Sequence, residues 1–78
     1  MKKEVDVLNE IERKNIREIL NEHGITGGIV IDYYNFAREL KIGKPISQLI
    51  EKYAGRGCER KVLEEIARVI RQDPKRRL

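Results

Sequence analysis

The side chains that suit nucleophilic, acid–base or soft-metal chemistry near neutral pH number two in this 78-residue chain: one histidine and one cysteine. His23 falls in the last turn of the first helical pattern, where a basic side chain interacts favourably with the negative end of the helix dipole. That reading makes it structural. A zinc shell would need a second histidine or a Cys-x-x-Cys pair, and neither is present, so no metal or cofactor is expected. Cys58 lies at or near the start of the last helical pattern, with Arg56, Arg60 and Lys61 close by. Helix N-termini and neighbouring cations favour the thiolate, but a nucleophile also needs a base, and His23 is far away in sequence. Cys58 therefore reads as a small, half-buried apolar residue. Gly27-Gly28 could offer backbone N–H groups to a phosphate, yet a phosphate-binding loop continues with Lys-Ser or Lys-Thr, and here Ile29-Val30 follow. The pair reads as a turn, and no enzymatic activity is expected.

The basic residues carry the functional signal. The chain holds 17 Lys and Arg against 13 Asp and Glu, a net charge of +4. Residues 1–40 have six basic and eight acidic side chains, residues 41–78 eleven and five, so the excess belongs to the second half. Along the last helix, Arg60 with Glu64, Lys61 with Glu65, and Glu64 with Arg68 stand four residues apart, the spacing of paired side chains. Lys41, Lys44, Arg56 and the tail residues Lys75, Arg76 and Arg77 lack such local partners. Sitting in turns and at the terminus, they could gather into one patch. With Arg60 and Lys61 they form the candidate contact set for duplex DNA or another anionic polymer. Tyr33, Tyr34 and Tyr53 could stack on bases, but all three fall on or beside apolar helix faces, with Tyr34 the best placed to face outward.

Four helical patterns must position these groups, separated by glycine and proline. The first is expected from about Val5 to His23, with Val5, Leu8, Ile11, Ile16, Ile19 and Leu20 on one face and Gly24 at C′. Glu12 and Asn15 interrupt that stripe. Together with Tyr34 they are candidates for contact with a second chain. Thr26 is available to cap a second helix that runs to about Lys41, burying Ile29, Val30, Tyr33, Tyr34, Phe36, Ala37 and Leu40. The β-branched and aromatic stretch from Gly28 to Tyr34 could also form a strand, but only its own copy in a dimer could pair with it, so helix is favoured. Pro45 suits the first turn of a third helix, carrying Ile46, Leu49, Ile50, Tyr53 and Ala54 inward. The fourth is expected from about Cys58 to Gln72 with Val62, Leu63, Ile66, Ala67, Val69 and Ile70 inward. Asp73-Pro74 then stops it, and residues 73–78 form a basic tail.

These patterns predict one all-α domain over residues 1–78, a compact array of four short amphipathic helices whose last two have a helix-turn-helix outline. A 38% content of charged residues exceeds the globular average of roughly 25% and, rich in Lys, Arg, Glu and Ile, resembles the composition of heat-adapted proteins. The longest apolar run, Ile29-Val30-Ile31, is far short of the roughly 20 residues that span a bilayer. The charged N-terminus lacks a signal-peptide core, and a lone cysteine forms no internal disulfide, so a cytoplasmic location without membrane contact is expected. A non-enzymatic binding module follows, by one reading a nucleic-acid-binding protein acting through its basic half. The other reading is a protein-interaction or homodimerisation module, because a core this small gains from burial against a second copy.

Overall fold

A computed structural model describes residues 7–71, which form four α-helices: α1 (Glu10–Glu22), α2 (Ile29–Lys41), α3 (Ile46–Gly55) and α4 (Arg60–Arg71). The described residues contain no strand, and the β-branched stretch after Gly28 is the first turn of α2. Its outward residue Ile31 and inward residues Tyr33, Phe36, Ala37 and Leu40 follow the helical period. α4 packs against each of the other three helices and supplies Val62, Leu63, Ile66 and Ala67 to the core. Phe36 and Tyr53 meet edge to face at its centre, ring centroids 5.8 Å apart.

α1, α2 and α3 end by one device. In α1 the N–H of Ile25 donates to Leu20 C=O and that of Gly24 to Asn21 C=O. Lys44 and Gly43 close α2 onto Glu39 and Leu40 in the same way, as Cys58 and Gly57 close α3 onto Tyr53 and Ala54. This is the paired-bond termination that needs a left-handed residue, usually glycine, directly after the cap. At Gly57 the need is doubled, since φ is +114° and an added Cβ would lie 3.3 Å from Ile29 Cδ1.

The helix starts differ from expectation. α1 begins at Glu10, not near Val5, because Asn9 is its N-cap: the Asn9 side chain accepts from Glu12 N–H (2.8 Å) and Glu12 accepts from Asn9 N–H (2.9 Å). Starting there, the inner face runs through Ile16, Ile19 and Leu20. Stepping back by the helical period from these reaches Glu12 and Arg13, so Ile11 points outward and is 69% exposed. Leu8 does reach the core, but from the segment before the helix. Val5 lies outside the described residues. Thr26 does not cap α2: Gly28 occupies the N-cap with helical backbone angles and no side chain to offer. α4 likewise starts at Arg60, where Glu59 C=O accepts from Val62 and Leu63, so Cys58 precedes the helix.

Candidate nucleic-acid interface

Three of the cations lacking local partners, Lys41, Lys44 and Arg56, meet carboxylates in the fold. Lys41 Nζ lies 2.7 Å from both carboxylate oxygens of Glu12 on α1. Arg56 Nε donates to Asp32 of α2 at 3.2 Å. Lys44 lies 4.0 Å and Lys52 3.4 Å from Glu39. Of the residues expected to gather, Lys41, Lys44 and Arg56 are divided between the two ends of α2. Asp32 holds Arg56 near the start of α2, while Lys41 and Lys44 sit at its far end, nine or more residues and roughly 14 Å away along the axis. Lys75, Arg76 and Arg77 lie outside the described residues.

α4 presents the opposite situation. The three ion pairs expected along it do not close among the described residues. Glu65 turns instead to His23, whose Nε2 lies 3.2 Å from Glu65 Oε2. His23 thus does two things: its backbone N–H caps α1, and its ring ties the end of α1 to α4. Arg60, Lys61, Glu64 and Arg68 are left exposed on the solvent side of α4, three cations to one carboxylate. Arg68 is the residue that sequence reasoning missed, since spacing alone assigned it to Glu64. By sequence α1 and α4 are the helices with unbalanced charge, α1 acidic and α4 basic.

The placement of charge along α4 is also unusual for its dipole. α1 carries Glu10 and Glu12 in its first turn, and α2 carries Asp32 at its start and Arg38 and Lys41 at its end, all favourable. The first turn of α4 has no acid within it and holds Arg60 and Lys61 at the positive end, so that Glu59, directly before the helix, is the lone acid there. Such a placement costs about 0.3–1 kcal/mol per charge at low salt.

Two further polar clusters adjoin the core. Glu39 accepts from the Tyr53 hydroxyl (3.1 Å) and from Lys52. Burial alone would raise its carboxyl pKa, but the Tyr53 hydroxyl, the Lys52 ammonium and the charge of Lys44 outweigh that and hold it below the ordinary value. Burial and the bond to Glu39 push the Tyr53 hydroxyl up to about 12. An open recess of about 280 Å³ lies beside this cluster, lined by Glu39, Lys44, Pro45, Gln48, Leu49 and Lys52. Near the start of α4, the N–H of Glu59 donates to the buried Tyr33 hydroxyl at 2.8 Å. Cys58 is buried against the same hydroxyl. Burial and Asp32 raise its thiol pKa despite the opposing Tyr33 bond and Arg56, which leaves it a packed, protonated side chain.

Of the residues expected to meet a second chain, Glu12 is held by Asn9 and Lys41, and Tyr34 donates its hydroxyl to Arg13 C=O at 3.4 Å. Asn15 is half-buried. Exposed apolar side chains stand beside the Glu12–Lys41 pair instead: Ile11 and Ile42, 69% and 59% exposed, are the chain neighbours of its two members. Among the described residues no three His, Cys, Asp or Glu side chains are grouped to hold a metal ion, and no helix is long and apolar enough to cross a membrane. Comparison with protein-family models, with curated proteins and with solved structures gave no match.

Proposed function

We propose that this protein is a nucleic-acid-binding module whose contact surface is the solvent side of α4, with Arg60, Lys61 and Arg68 on backbone phosphates. The observation that carries the reading is the first turn of α4. Arg60 and Lys61 oppose the helix dipole and have no carboxylate within ion-pair distance among the described residues. A local rule broken without a compensating internal contact is the mark of a surface shaped by something outside the fold. A phosphate reverses the sign of both effects, since the helix N-terminus and the two cations then attract the same anion. Arg56, in the four-residue turn between α3 and α4, extends the surface: its side chain is more than half exposed while Nε is held by Asp32. The succession of α3, turn and α4 has a helix-turn-helix outline, here with the cations of α4 on phosphates and not on base edges.

Fluorescence anisotropy with a labelled duplex tests this. Three phosphate contacts correspond to a salt slope near −2.7, so affinity falls about 40-fold between 50 and 200 mM NaCl. The variant R60A/K61A/R68A should lose that dependence while keeping its helical circular dichroism. Binding that ignores salt, or a triple variant that binds undiminished, sinks the proposal.

The second reading, self-association, draws on Ile11 and Ile42, large exposed apolar side chains next in sequence to the paired Glu12 and Lys41. Sedimentation equilibrium decides it: a mass of two chains that falls to one in I11E/I42E supports a dimer, and a single-chain mass for the parent refutes it.

A further inference from the structure

We infer that the nucleic acid recognised by α4 is double-stranded and that single strands of the same length are poor ligands. The inference rests on the preceding reading of α4 and adds the class of partner. Proteins that hold single strands combine a basic track with aromatic side chains on which unstacked bases lie. This chain has four aromatic residues and no tryptophan, and all four lie among the described residues. Phe36, Tyr33 and Tyr53 are at most 3% exposed. Tyr34 packs against the core and its hydroxyl is engaged by Arg13 C=O. Only Tyr34, half-buried and tied by its hydroxyl, keeps ring surface near solvent, so no series of stacking platforms is present. Freeing Tyr33, Phe36 or Tyr53 would mean opening the core.

Without stacking, attraction comes from phosphates alone, and their arrangement decides which polymer fits. Lys61 and Arg68 are two helical turns apart, about 10 Å along α4, with Glu64 between them on the same exposed side. A cation, a carboxylate and a cation in a row match two rows of phosphate separated by a groove, with the carboxylate over the gap. The major groove of duplex DNA, about 12 Å wide, has that dimension. A single strand offers one row of phosphates and no groove between rows, so Glu64 would lie beside the phosphates that Lys61 and Arg68 hold. The duplex also offers a higher charge density, one phosphate per about 1.7 Å of axis, and so a larger gain from counterion release.

The test compares a labelled 20-base-pair DNA duplex with either of its strands alone, at 50 mM NaCl, using the full chain. The duplex should bind at least about tenfold more tightly. E64Q should tighten the single strand more than the duplex, because it removes the charge that faces a phosphate only there. Single-strand binding equal to or tighter than duplex binding overturns this inference while leaving α4 as the contact surface. So does an E64Q effect equal on both probes. Failure of both probes to bind in a salt-dependent way overturns the underlying reading and this inference with it.

Discussion

Glu12 interrupts the apolar stripe of α1, and its role can be divided by mutation. Its carboxylate accepts from Asn9 N–H at 2.9 Å and meets Lys41 Nζ with both oxygens at 2.7 Å. The pair is partly sheltered, the Glu12 side chain being 14% and the Lys41 side chain 34% exposed. That places it near the upper end of the exposed range, about 1 kcal/mol. E12Q keeps an oxygen for the capping bond and loses the charge, so it should cost about 1 kcal/mol. E12A loses both contacts and should cost about 1.5–2 kcal/mol. For a domain of this size, each kcal/mol lowers Tm by about 4–8 °C. Urea unfolding of E12Q, K41M and the double variant isolates the pair, with an expected coupling of about 1 kcal/mol at low salt that shrinks in 1 M NaCl. A coupling below about 0.3 kcal/mol, or equal losses for E12Q and E12A, would refute this account. A change in sedimentation mass on E12Q would assign the residue to an interface instead.

Other consequences are as direct. Y33F leaves the Glu59 N–H at the start of α4 without its acceptor and should destabilise by about 1–3 kcal/mol in urea titration; a loss under about 0.5 would mean that water replaces the hydroxyl. G57A forces a side chain into a left-handed conformation and against Ile29, and should cost more than about 1 kcal/mol, whereas G28A, at a helical N-cap with open space, should cost far less. Tyr53 holds its proton to about pH 12 when folded against 10.0 ordinarily, so its contribution is complete below pH 10 and is lost as pH rises from 10 to 12. The urea midpoint should fall across that window, and tyrosinate absorbance should show a late-titrating group that Y53F removes. Glu39 works in the other direction: its carboxyl pKa is lowered, so its contribution is present above pH 4.5 and fades as pH falls further.

Much of the architecture is legible in the residues. The glycines after α1, α2 and α3 announce the turns, and the 3.6-residue rhythm selects Tyr33, Phe36, Leu49, Val62 and Ile66 for the core. These are local facts, settled by φ preferences and by which side of a cylinder each residue occupies. The start of α1 was legible too, since Asn9-x-x-Glu12 is the pattern of a capping box, and a stripe that includes Ile11 overlooks it. The candidate site was legible in part: Arg60 and Lys61 stand on the exposed side of α4, but Arg68 is hidden by its spacing from Glu64. Charge pairing was not legible. Spacing along one helix proposes Lys61 with Glu65, and the fold joins Glu65 to His23, 42 residues away in sequence. It likewise joins Lys41 to Glu12 and Arg56 to Asp32. An ion pair depends on distance in space, and exposed pairs along a helix are too weak to hold side chains against a better-placed partner across the interface. The sequence by itself therefore determined the helices and their buried faces, while tertiary packing alone decided which cations were neutralised and which were left exposed.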